Sequence, residues 1–131
     1  MAQTSKLVLI FDGSCNFCTA CVGIFHLLDW RHRLECLPFQ EPDVPQRYGL
    51  TLLQCEQAAW VILPSGQIYG GAQAINLALD TSIGLPLFAQ LSHLPWMGKL
   101  EERVYGWIAA HRQRLPGVRP YCKRPGSTCG T

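Results

Sequence analysis

Lys6-Leu7-Val8-Leu9-Ile10-Phe11-Asp12-Gly13-Ser14-Cys15-Asn16-Phe17-Cys18 is the stretch on which the reading of this chain turns. Its first half is a short, continuous apolar run with β-branched members, stopped by Asp12, Gly13 and Ser14, and such a run reads as a strand buried on both faces. Its second half opens a helix. From residue 16 to about residue 30, Phe17, Cys21, Ile24, Phe25 and Leu28 recur at helical spacing, and Arg31, His32 and Arg33 follow where cations suit a helix C-terminus. A rotation of about 100° per residue centres the apolar stripe near Phe17, Ile24 and Leu28, with Cys21 on it, Cys18 at its edge and Cys15 almost opposite. Leu34-Glu35-Cys36-Leu37-Pro38-Phe39 then supplies a second short strand. Strand, helix and strand of this length imply a right-handed parallel crossover.

Further along, residues 41–48 contain Pro42 and Pro45 and are expected to be loop with one helical turn, and residues 51–57 a short helix. Ala59-Trp60-Val61-Ile62-Leu63 and Gln67-Ile68-Tyr69 flank Pro64-Ser65-Gly66, a turn suited to an antiparallel hairpin. Helices are expected over residues 72–79 and 85–91. Pro95 begins a longer one, residues 96–115, with a stripe that includes Leu100, Val104, Trp107 and Ile108, acidic residues early and Arg112 and Arg114 late. Trp96, Tyr105 and Trp107 are expected to be core contacts, and the arginine-rich end a solvated face. The expected architecture is one α/β domain over residues 1–115, a four-stranded mixed sheet made from a βαβ unit and a hairpin and flanked by helices, with extra helices near the C-terminus. Residues 116–131, basic and proline-rich with almost nothing to bury, are expected to form a flexible tail.

Composition supports this outline. A chain of 131 residues, 48% apolar and 15% charged, suits a single domain that folds without disulfide staples. A net charge of +2 is too small to generate the basic field that nucleic acid or an anionic membrane requires, so neither is an expected partner. The longest apolar run near the N-terminus, Leu7 to Phe11, falls far short of a signal-peptide core or a span of about 20 residues. Seven cysteines, an odd number, fit a reducing compartment better than an extracellular disulfide framework, and a cytoplasmic location is expected.

Cys15-Asn16-Phe17-Cys18 is a Cys-x-x-Cys placed where the first strand turns into the first helix. First-turn amides and the positive end of the helix dipole favour a thiolate there, and residues three apart on a helix share a face, so the two sulfurs can bond. From the stripe, Cys15 is expected to be the accessible attacking thiol, Cys18 the shielded resolving thiol and Cys21 a core residue. Asp12, three residues before Cys15, is placed either to cap the helix amides or to relay a proton to the dithiol. Gly13 is expected to permit the turn and to clear space for a docking partner.

Asp12-x-x-Cys15-x-x-Cys18 at this junction resembles the DCC family of predicted thiol-disulfide oxidoreductases. Gly66-Gln67-Ile68-Tyr69 followed by Gly71 and Ala74, and Tyr105-Gly106-Trp107-Ile108-Ala109-Ala110-His111-Arg112, resemble that family's later blocks in the same order. The resemblance implies a thioredoxin-like fold with Cys15 and Cys18 as the redox pair and a protein or small-molecule disulfide or dithiol as substrate. It implies no cofactor. Thioredoxins proper carry a cis-proline before the hairpin, where this chain has Ala58-Ala59.

Other readings of the same residues stay open at this level. Cys15, Cys18 and Cys21 share the opening spacing of an iron–sulfur motif, although the next ligand and its proline are missing. Cys122 and Cys129 are expected to be two exposed thiols; the alternatives are zinc ligands or a second dithiol that passes electrons to Cys15 and Cys18. Cys36 and Cys55 read as packing residues. His26 lies about 16 Å along the helix from Cys15, too far for a catalytic base, and His32, His93 and His111 carry no expected role. A non-enzymatic binding module or redox sensor on the same fold is the remaining alternative.

Overall fold

The computed structural model describes residues 6–85, 87, 90, 94–115, 117–123, 125 and 129. The expected helix over residues 85–91 lies largely outside them, His93 wholly, and the tail in part. Four strands, β1 (Leu7–Phe11), β2 (Leu34–Pro38), β3 (Trp60–Ile62) and β4 (Ile68–Gly70), form one sheet in the order β2-β1-β3-β4. β1 pairs with β2 in parallel, with Leu9 opposite Cys36, and with β3 antiparallel, with Leu9 opposite Val61. β3 and β4 form the antiparallel hairpin. This is the mixed α/β sheet that a thioredoxin-like fold requires.

Every residue of β1 is buried because helices cover both faces of the sheet. Leu7, Leu9 and Phe11 pack with Val22 and Phe25 of α1 (Asn16–Leu28) and with Ala74 and Ala78 of α4 (Ala72–Ile83). Val8 and Ile10 point the other way, toward Phe39, Val44 at the start of α2 (Val44–Arg47), Leu50, and Cys55 of α3 (Leu52–Gln57). Thr51 starts α3 with a reciprocal capping box with Gln54. Gly84 ends α4 in the left-handed region, at φ 87°. Asp29, buried just after α1, accepts the N–H groups of Arg33 and Leu34 (2.9 and 3.0 Å) and so fixes the entry to β2.

Two expectations about helix faces need correction. On α1 the buried positions are Thr19, Val22 and Phe25, whereas Ile24 (54% exposed) and Leu28 (39%) face outward. The helix is apolar nearly all round, so the stripe's centre does not select the face; sheet contact does. On α5 (Met97–His111) no residue is fully buried, and Trp96 and Trp107 are 60% and 57% exposed rather than core. That helix docks through Tyr105, Ile108 and Ala109, and Tyr105 Oη accepts the Ala59 N–H at 2.9 Å. No helix among the described residues is long and apolar enough to cross a membrane.

Candidate functional site

The site forms where the carboxyl ends of parallel β1 and β2 open onto their connecting loops, the usual position for ligand chemistry in an open α/β sheet. Cys15 is itself the N-cap of α1, in extended conformation, and its Sγ accepts the backbone N–H of Cys18 at 3.2 Å. The carbonyl of Cys15 accepts both the Thr19 N–H (3.0 Å) and the Thr19 hydroxyl (2.9 Å), which anchors the first turn. An N-cap acceptor satisfies an amide that the helix leaves unpaired. Here that acceptor is sulfur, so negative charge on it meets the positive end of the helix.

Burial first, then a hydrogen bond to Cys15 and the charge there, push the Cys18 thiol up from 9.0 to about 12, while the Arg112 guanidinium acts to lower it. Cys18 is thus held as a thiol at neutral pH. Cys21, raised by burial and then by Cys15, is also held protonated. The exposure order is the reverse of the expected one: Cys15 is fully buried, and Cys18 and Cys21 are half-buried. The helix is rotated so that Cys15 faces inward at its cap, and the far end of the chain lies across that cap.

Asp12 does not cap α1. Its Oδ1 accepts the Ser14 N–H (2.9 Å) and a Gln40 side-chain N–H (2.7 Å), and its Oδ2 pairs with Arg112 at 3.0 Å. Gln40 also accepts the Gly13 N–H at 2.9 Å, which ties the loop after β2 to the loop after β1. Arg112, which follows α5 at the start of a single 3-10 turn, donates to Cys18 Sγ (3.5 Å) and to the Glu56 carbonyl (2.8 Å). The sequence reading placed it on a solvated face. Only its position in a block resembling the family pointed to it, and nothing in the sequence pointed to Gln40.

Beside Cys18 is a cavity of about 190 Å³ walled mainly by apolar side chains, among them Phe17, Cys21, Ala59, Ile75 and Ile108, with Asp12 and Arg112 also in its lining. Ala59, the residue just before β3, thus belongs to the wall. Among the described residues no group of three or more His, Cys, Asp or Glu side chains is arranged to hold a metal ion.

The described part of the tail lies against this site. Val118 N–H donates to the Asn16 carbonyl (3.3 Å), Tyr121 N–H to the Thr19 hydroxyl (3.1 Å) and Cys122 N–H to the Gly13 carbonyl (2.9 Å). The Tyr121 ring packs edge-on against Phe11, with centroids 5.8 Å apart. Gly117 abuts the backbone of Asn16 and Phe17, where any Cβ would overlap. Gly13 supplies room rather than an unusual backbone angle, since a Cβ there would lie 2.6 Å from Cys122 Sγ and 2.8 Å from Pro38 Cβ. Its docking partner is the chain's own tail. Cys122 and Cys129, expected as two exposed thiols, are instead joined in a disulfide, with Cα atoms 5.4 Å apart, a separation that the bond readily spans. The other five cysteines are unpaired.

The sequence model of a family described as DCC1-like thiol-disulfide oxidoreductase matches residues 9–118. No curated protein and no solved structure gives a significant match.

Proposed function

Since this chain belongs to the DCC1-like thiol-disulfide oxidoreductase family, we propose that it exchanges disulfides through Cys15 as attacking sulfur and Cys18 as resolving sulfur. The observation that carries this is the Cys18 N–H held on Cys15 Sγ at the helix cap, beside a Cys18 thiol that keeps its proton. Attack by a Cys15 thiolate on a substrate disulfide forms a mixed disulfide and releases one substrate thiolate. Cys18 then gives up its proton, attacks Cys15 Sγ and expels the second substrate sulfur, leaving Cys15 and Cys18 oxidised and the substrate reduced.

Arg112 assists the second step, because a cation beside Cys18 favours the thiolate that must form there. Asp12 positions Arg112 through their ion pair. The cavity next to Cys18 accepts an apolar group of the substrate. No organic cofactor takes part.

The test is trapping with oxidised glutathione at neutral pH. Cys18→Ser should accumulate a glutathione adduct on Cys15, read by mass spectrometry, whereas Cys15→Ser should give almost none on Cys18. An adduct on Cys18 in preference to Cys15 would exchange the two roles, and none on either would end the proposal.

A further inference from the structure

The tail disulfide lies against the loop that carries the dithiol. Cys122 Sγ touches Gly13 so closely that no side chain fits between them, and the Cys122 N–H is hydrogen-bonded to the Gly13 carbonyl. Only Ser14 stands between Gly13 and Cys15, so their Cα atoms are at most about 7 Å apart. The tail is also fastened to Asn16 and Thr19, so its contacts bracket Cys15 on both sides. Cys15 is fully buried, whereas Cys122 and Cys129 are half-buried. A disulfide from outside must first reach an enclosed sulfur; the tail disulfide already lies against Gly13, with only Ser14 between that residue and Cys15.

We propose that Cys122–Cys129 is a second redox centre, which exchanges with Cys15 and Cys18 inside one chain and passes electrons between that pair and disulfides or dithiols outside. This rests on Cys15 being the attacking sulfur. Cys15 thiolate attacks Cys122 Sγ, the Cys122–Cys129 bond breaks, and Cys129 leaves as a thiolate. Cys18 then attacks Cys15 Sγ and releases Cys122, and its proton passes to the tail sulfurs. Cys15 and Cys18 end as a disulfide and Cys122 and Cys129 as a dithiol, so two electrons have moved and no outside reagent is consumed. The reduced tail then reduces an external disulfide by the same two-step exchange, and the whole sequence runs in reverse when the tail is oxidised from outside. Tethering raises the effective concentration of the tail disulfide into the millimolar range or above, which lets it compete with free substrates.

The test uses the full chain carrying Cys18→Ser, with the tail disulfide intact. The protein is held at neutral pH, quenched by acid, alkylated and mapped as unreduced peptides by mass spectrometry. The expected result is a peptide in which Cys15 is linked to Cys122, with Cys129 alkylated in equal amount. If Cys15 stays free and the tail stays closed while added oxidised glutathione still modifies Cys15, the relay is overturned and the exchange chemistry stands. If neither disulfide reacts at Cys15, both proposals fall.

A second measurement, on the unaltered protein, guards against a variant that does not fold. One equivalent of dithiothreitol is added to fully oxidised protein, and the distribution of electrons over the two pairs is followed with time. Movement to a fixed ratio at a rate independent of protein concentration supports the relay. Two pairs that never exchange electrons, or that do so only at a rate proportional to concentration, overturn it.

Discussion

Arg112 and Cys18 are 94 positions apart in sequence and meet at 3.5 Å in the fold, and the acidity of the Cys18 thiol depends in part on that contact. With Cys18 pushed up to about 12, only a small fraction is ionised at neutral pH. In a mixed disulfide on Cys15 the charge on Cys15 is gone, but burial, the largest cause, still holds Cys18 protonated, so the decay of that species should speed up about tenfold per pH unit between pH 7 and about pH 9, which stopped-flow kinetics can follow. Arg112→Gln removes an influence that lowers the Cys18 value, and should lengthen the life of the mixed disulfide on the order of tenfold, the effect of one pKa unit. The same change leaves the buried Asp12 carboxylate without its cation and should cost about 1–3 kcal/mol in urea unfolding. Stability should also depend on pH through the reduced thiols. Burial raises Cys18 and Cys36 from 9.0 to about 12, so the fold favours their protonated forms. That contribution is complete below pH 9 and is lost as pH rises toward 12, so the urea midpoint should fall across this window, and fall less in Cys36→Ser.

At the level of elements, the strands and their pairing were legible because β1 is apolar without interruption and the hairpin carries its own turn residues. The first helix was legible as a helix and misread as a surface. Its apolar residues encircle it, so no sequence stripe could say that Val22 and Phe25 would meet the sheet while Ile24 and Leu27 would not. The last long helix shows the opposite case, a clean stripe that the sheet leaves largely uncovered. Asp12 was identified from its spacing to Cys15, but its partners Gln40 and Arg112 belong to other elements and carry no local signature. The seating of the tail was equally hidden, since it depends on two glycines that leave space rather than on residues that attract. Gly13→Ala should overpack that contact, destabilise the protein by about 1–3 kcal/mol and free residues 117–123 for faster amide hydrogen exchange, with the amide of Cys122 changing most.

For the molecule as a whole, β1 is the shared wall of two apolar clusters, one under α1 and α4 and one under α2 and α3. Phe25→Ala on one face and Phe39→Ala on the other should each cost about 3–5 kcal/mol. Both should shift a single unfolding transition that fluorescence and circular dichroism report together, because neither cluster can survive without the strand between them. The general architecture followed from sequence patterning for the same reason: one central strand organises everything around it. The chemistry followed only in part, because its environment is assembled from both ends of the chain.

That separation bears on how the protein is made. The two sulfurs of the helix cap are synthesised early, and Arg112 follows 94 residues later, a delay of about 5–20 s at ordinary ribosomal speeds. Throughout that interval the growing polypeptide carries a dithiol with neither its cation nor its covering segment. A ribosome stalled before codon 112 would hold a nascent chain whose dithiol has neither of them to restrain it.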